Sequence, residues 1–208
     1  MNVLEWENWL GPEIKNNVDL VGSYLNEGDV FVDVGANTGL FTKMVLDRVG
    51  NEFLSKVILF EPIPYLFDEC KNKFANNENI ILNELALSDT EYETTILASK
   101  NNLGYNKIYT EGMEIHSHEK YTINCVTFSD WAFKNKIEKV NFVKVDAEGH
   151  DVNVIRGMFE WMRDTNQRPY ILFEINWYKE SEQRLIKDIE TIFDYNSIDC
   201  GRDVLLIP

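Results

Sequence analysis

Acids placed at the ends of hydrophobic runs dominate the chemistry this chain could do. The first is Asp33, in the run VFVDVGANTG at residues 30–39. Hydrophobic residues alternate around this acid, and the chain then breaks at Gly35 and Gly39. The pattern predicts a buried strand, a tight glycine turn and a helix starting near Thr38. The first N–H groups of a helix lack partners inside it, so such a start is an anion site. Asp33 would sit at the carboxyl end of its strand, where open α/β sheets bind ligands. An acid there suits a ligand with a positive group or hydroxyls. S-adenosylmethionine has both, and adds a carboxylate for the helix end. The dinucleotide fingerprint needs a second glycine where this chain has Asn37, which counts against NAD and FAD.

Glu61 ends the next hydrophobic run, VILF, and is followed by Pro62. An acid at the end of the second strand accepts hydrogen bonds from ribose hydroxyls in nucleotide-binding α/β folds. A solvated strand-end acid is the plainer reading. Residues 83–89, NELALSD, follow a third run. There Ala86, between Leu85 and Leu87, would form an apolar slot for a flat adenine, with Ser88 and Asp89 at its edge. A simple strand exit fits the same composition.

The densest group is NFVKVDAEGHDVNVIRGM, residues 141–158. A strand delivers Asp146, and Glu148 faces the same side if extended geometry persists. Gly149 turns the chain into a helix with His150 at its start. Glu148 or Asp151 could also merely favour the helix N-terminus. Glu174, in ILFEINWY, arrives at the same edge, followed by Trp177 and Tyr178, which suit a sugar ring or ordinary packing. His116 and His118 have no supporting ligands nearby in sequence and read as loop residues.

These residues need a rigid sheet to bring them together. Alternating strand and helix patterns run through the chain: helices in residues 1–27, strands near 30–34, 57–60, 80–82, 140–146, 170–175 and 203–207, and helices near 38–49, 64–76, 127–135, 150–161 and 179–193. Such alternation predicts one α/β domain over residues 1–208, a parallel sheet with helices on both faces. The stretch at about 90–126 departs from the rhythm and predicts an inserted hairpin or small accessory sheet, with strands Thr94 to Ala98 and Tyr121 to Val126, carrying a long loop. That loop holds Tyr105, Tyr109, Asn101, Asn102 and Asn106, flat faces and amides suited to a sugar, so acceptor choice is expected there.

The 208 residues carry 35 acids against 20 bases, a net charge of −15. Nucleic-acid affinity rests on cations that neutralise phosphates, so this balance argues against a nucleic-acid partner. No run approaches the ~20 apolar residues of a membrane span. Cys70, Cys125 and Cys200 are odd in number and far apart. They read as reduced thiols, and with the absence of a signal core predict a soluble cytoplasmic protein.

The runs VFVDVGANTG, LFEPIP, NELALSD and VKVDAEGHDVNVIRG, in this order across residues 28–176, resemble the FkbM-type methyltransferases. The resemblance implies a Rossmann-like class I methyltransferase fold with a mostly parallel seven-stranded sheet and a small β insertion. It implies S-adenosylmethionine as cofactor, S-adenosylhomocysteine as product, and methyl transfer to a hydroxyl of a sugar, glycan or polyketide-like molecule. It places Asp33, Gly35, Asn37, Thr38 and Gly39 around the methionine part, Glu61 on the ribose, and Ala86 to Asp89 by the adenine. Asp146 and Glu148 become the signature acids beside the methyl group. Candidate bases are Asp146, His150 and Glu174, with Asp146 foremost by position. A divalent metal on Asp146, Glu148 and Glu174 is an alternative that is not favoured. Two other readings stay open: a nicotinamide oxidoreductase, and a non-catalytic cofactor-binding domain of a larger glycan-building protein.

Overall fold

The computed structural model describes residues 11–99, 106–109, 119–175 and 179–208. The main sheet is built from β1 (Val30–Val34), β2 (Lys56–Phe60), β3 (Ile80–Asn83), β8 (Phe142–Val145), β9 (Tyr170–Glu174), β10 (Asn196–Asp199) and β11 (Asp203–Ile207). A smaller sheet holds β4 (Ala86–Ser88), β5 (Tyr92–Ala98), β6 (Lys107–Ile108) and β7 (Glu119–Thr127). The described helices are α1 (Pro12–Tyr24), α2 (Leu40–Val49), α3 (Pro64–Lys73), α4 (Phe128–Lys134), α5 (Asp151–Arg156), α6 (Phe159–Thr165) and α7 (Glu180–Phe193).

The seven strands of the main sheet lie in the order β10-β11-β9-β8-β1-β2-β3. Neighbours from β9 to β3 pair in parallel, and β11 alone runs antiparallel to both its neighbours. This is a mostly parallel Rossmann-like sheet, as the sequence predicts. From β1 the chain winds outward through β2 and β3, then returns to place β8 on the other side of β1. The ends of β1 and β8 therefore form a topological switch point, where such sheets open a crevice.

Period-two alternation sorts each central strand between two cores. Val30, Val32 and Val34 of β1 face one side, with Val143 and Val145 of β8, under Met158, Trp161, Ile186 and Ile189. Phe31 of β1 and Phe142 of β8 face the other side, under Val21 of α1 and Val45 and Leu46 of α2. Asp33 and Lys144 continue this second row. They are register partners on adjacent strands.

The structure sharpens one expectation about the elements and changes two. The insertion, expected as a hairpin or small accessory sheet, is a four-stranded sheet in the order β4-β7-β5-β6. Its extra strand β4 holds the Ala86–Ser88 segment, paired in parallel with β7. The helix expected over 150–161 is two helices. Ser129 Oγ donates to Gly157 O at 2.7 Å and accepts from Trp161 N at 2.9 Å, so a side chain takes over where the ladder would continue. The edge strand β10 was not predicted. All four of its residues are exposed and they show no apolar alternation.

Candidate active site

A cleft enclosing ≈ 1270 Å³, part of it open solvent, lies at the carboxyl ends of β1, β2 and β8. Ile96 and Ile123 of the small sheet and Ile14 and Asn17 of α1 close its sides. Its floor is the glycine turn. Gly35 has φ +75°, and a Cβ there would stand 2.0 Å from the carbonyl oxygen of Asp146. Glycine lets β1 and β8 deliver their loops this close together.

The turn's own donors are engaged inside the protein. The N–H groups of Gly35 and Ala36 both donate to Phe60 O at 3.0 Å, and that of Gly39 donates to Ala36 O at 2.8 Å. Asn37 N donates to Glu61 Oε2 at 2.8 Å, and Thr38 N to Asn37 Oδ1 at 2.9 Å. Helix α2 starts at Leu40, not Thr38. The anion cradle expected from the turn itself is thus spent on holding its shape.

Glu61 is 4% exposed and lines the cleft. Its Oε1 accepts from Ile63 N at 2.9 Å. Burial pushes its pKa up to about 8 against the pull of these two backbone donors. Each oxygen keeps a lone pair, enough to accept from a vicinal diol.

At the end of β8 the chain makes a left-handed turn, with φ +50° at Glu148 and +91° at Gly149. Asp151 holds it, accepting from Ala147 N and Gly149 N at 3.1 Å each. Non-glycine residues rarely adopt such φ values, so the surroundings must impose the shape. Glu148 is presented half-buried. Burial, then the charges of Asp146, Glu174 and Asp151, push its carboxyl up to about 8. Burial also lifts Asp151 to about 6.

Beside the main cleft lies a second cavity of ≈ 680 Å³. Asn106, Lys107 and Glu148 line both spaces, so the two meet there. The second lining is charged: Asp151, Glu174, Lys179 and Glu182 contribute. Asp151 is bound to backbone, Lys179 pairs with Glu182 at 3.1 Å, and Glu174 pairs with Arg202. Among the described residues, Glu148 is the acid of this cavity with no hydrogen bond or ion pair.

These raised carboxyls set a sign for stability. The folded protein keeps protons on Glu61, Glu148 and Asp151 at pH values where the unfolded chain has lost them. The fold then binds more protons than the unfolded state, so stability falls as pH rises from about 5 to about 8. Urea midpoints for the ligand-free protein should be lower at about pH 8 than at about pH 5.5. A midpoint that rises over this range would contradict the burial of these acids.

The sequence profile of the Methyltransferase FkbM domain matches residues 33–203. The chain belongs to this family. Hexuronic acid methyltransferase AglP of Haloferax volcanii is 27% identical over 178 residues, covering 82% of this chain and 66% of AglP. The fold resembles the crystal structure of an FkbM methyltransferase from Methylobacillus flagellatus, with a TM-score of 0.58 at 13% identity, over 87% of this chain and 44% of that one. It also resembles Aeropyrum pernix fibrillarin, crystallised with S-adenosyl-L-methionine, with a TM-score of 0.55 at 13% identity, over 92% of this chain and 73% of that one. This FkbM chain thus spans about two thirds of the length of AglP and less than half of the Methylobacillus protein.

Within the FkbM domain, the structure brings Gly35, Asn37, Thr38, Glu61, Ala86, Asp146, Glu148 and His150 to the main cleft. It moves several others away. Asp33 is fully buried on the α2 side of the sheet, with Thr42 Oγ1 donating to its Oδ2 at 2.7 Å. It does not line the cleft, because alternation along β1 turns it to the row of Phe31. Gly39 is packed beneath Phe74 and Cys70. Ser88 is buried, with its Oγ 2.9 Å from His150 Nε2. Its place in β4 turns it toward α5, and it does not line the cleft. Tyr92 OH lies 3.4 Å from the same nitrogen. Burial lowers the His150 pKa, and its ring is tied to this group. Glu174 lines only the second cavity. Tyr109 lies outside both, with Lys120 Nζ 4.1 Å above its ring. Tyr105, Trp177 and Tyr178 fall outside the described residues. Among the described residues, no group of three or more His, Cys, Asp or Glu side chains is placed to hold a metal ion. No described helix is long and apolar enough to cross a membrane.

Sequence reasoning missed Lys144. It is 9% exposed, lines the cleft, and bridges Asp33 Oδ1 at 3.4 Å and Asp146 Oδ2 at 3.3 Å. Burial opposes its charge, but Asp33 and then Asp146 outweigh that and hold the ammonium protonated. The available signal was a lysine inside the apolar strand run FVKV.

Proposed function

We propose that the chain transfers a methyl group from S-adenosylmethionine to a hydroxyl of a sugar in a glycan or glycoconjugate. The observation that carries this reading is the meeting of two cavities at Glu148. The main cleft takes the cofactor, with Glu61 accepting from its ribose hydroxyls and Leu85, Ala86 and Leu87 against the adenine. The second cavity, lined by charged groups, takes the polyhydroxylated acceptor. Membership of the FkbM family supports the donor, and the hexuronic acid named for the Haloferax relative supports the acceptor class.

In the reaction, the acceptor oxygen attacks the methyl carbon while the carbon–sulfur bond breaks and its electron pair returns to sulfur. The sulfonium is already electrophilic, so holding the two cavities in line supplies much of the acceleration. The hydroxyl proton passes to Glu148, whose raised pKa suits a base working near neutrality. The scheme uses no metal.

Calorimetry tests the donor. The protein should bind S-adenosylmethionine and not NAD. Glu61→Ala should weaken that binding by ~1–3 kcal/mol, the range for leaving buried donors without an acceptor. Unchanged affinity in a folded variant would remove Glu61 from the ribose, and binding of NAD alone would favour the oxidoreductase reading.

A further inference from the structure

The cofactor assigned above carries an α-carboxylate, and the glycine turn does not offer it a cradle. Each N–H from Gly35 to Gly39 already has an acceptor within the protein. Among the described residues that line the cleft, the fixed cations are Lys107 and Lys144. Lys107 lies in β6, where the main cleft meets the second cavity. Lys144 lies in β8, beside the end of β1 and the start of α2, with its Nζ 5.1 Å from the centroid of the Phe41 ring.

The surroundings of Lys144 are built to keep a cation in place. Asp33 lies beneath it, fully buried, one oxygen held by Thr42 and the other, Oδ1, accepting no hydrogen bond in the protein. That oxygen's charge is met by the Lys144 ammonium at 3.4 Å. Asp146 stands on the cleft side, half-exposed. Asn17 and Asp203, joined at 2.8 Å, also line the cleft and bring a further acid for an ammonium group. A lysine this buried, with long contacts to both acids and an edge on the cleft, has a donor left for an incoming anion.

We propose that Lys144 anchors the α-carboxylate of the cofactor and that Asp33, which touches no ligand, is its positioning residue. This rests on the S-adenosylmethionine reading. It gives the family acid Asp33 a role beneath the site and assigns the lysine between it and Asp146 to the methionine end of the cofactor.

The test compares S-adenosylhomocysteine with its decarboxylated form, which keeps the adenosine, the thioether and the amine. Calorimetry on Lys144→Met should show affinity for S-adenosylhomocysteine down by about tenfold or more, the size of a charge-assisted hydrogen bond. Affinity for the decarboxylated ligand should stay within about twofold of wild type. Asp33→Asn should show a smaller loss with the same selectivity. The double variant should be no weaker than Lys144→Met, because both residues act through one contact. Should Lys144→Met fail to fold with Asp33 left unpaired, the double variant removes both charges and gives the same comparison. Equal losses for the two ligands, or full affinity in Lys144→Met, would overturn the anchor alone. Wild-type protein that binds neither S-adenosylmethionine nor S-adenosylhomocysteine would overturn the cofactor assignment, and the anchor with it.

Discussion

Glu148→Gln should lower turnover by at least ~10²-fold, the lower end of what a positioned general base contributes, while cofactor affinity stays near wild type. Glutamine keeps the shape and removes the proton acceptor. The side chain stands where the two cavities meet, and it has no hydrogen bond or ion pair among the described residues. Asp146→Asn should lose less, since Asp146 is half-exposed and already engaged by Lys144 at 3.3 Å. His150→Ala should also lose less, because its Nε2 is tied to Ser88. The pH dependence carries the same assignment. A base must be unprotonated to act, so kcat/KM should climb as pH approaches about 8 and then level off. The residual activity of Glu148→Gln should lack that inflection. Steady-state kinetics on the three variants decide the order. A larger loss in Asp146→Asn or His150→Ala would transfer the base role to that residue.

Gly35→Ala should be the most damaging change of a single methyl group in the chain's first motif. The new Cβ would lie 2.0 Å from the Asp146 carbonyl oxygen, and the backbone there has φ +75°. Neither strand can give way, because Asp146 N donates to Val34 O at 3.0 Å and locks the two ends together. The loss should reach about 4 kcal/mol, at the severe end for point substitutions, and show as a fall in Tm of roughly 8–16 °C. Thermal unfolding followed by circular dichroism measures it. A variant that melts within about 2 °C of wild type would mean that β1 and β8 are not this close.

The comparison of residue patterns with the structure has a physical logic. Glycine turns and strand-end acids are local signals, so the turn at Gly35, the approach of Glu61 and the Asp146–Gly149 turn were all legible. Facing is a tertiary property. Asp33 ends its strand as expected, yet its side chain follows Phe31 to the α2 side, and only the pairing of β1 with β8 reveals why. VFVDV laid beside FVKV puts Asp33 opposite Lys144, a cross-strand ion pair that no single run displays. The break at Gly157 was hidden for a similar reason. It depends on Ser129, far away in the chain, and on Ser88 O, 2.0 Å from where a Cβ would stand. Strand β10 left no trace because an edge strand with both faces in water needs no apolar alternation. The contributions of Asn17 and Asp203 to the cleft arise from elements at opposite ends of the chain, which meet only once the sheet closes.

Methyl transfer itself is the most direct test. The purified protein, with S-adenosylmethionine and EDTA, should be offered methyl glycosides of a neutral hexose and of a hexuronic acid. The products are read by mass spectrometry alongside released S-adenosylhomocysteine. The proposed function predicts a mass gain of one methyl group on a sugar acceptor, matched by an equal amount of S-adenosylhomocysteine and abolished in Glu148→Gln. Methylation that appears only when Mg²⁺ replaces EDTA would contradict the metal-free scheme. Protein that binds S-adenosylmethionine yet leaves both sugars unmethylated, while methylating a polyketide-like hydroxyl, would contradict the sugar assignment.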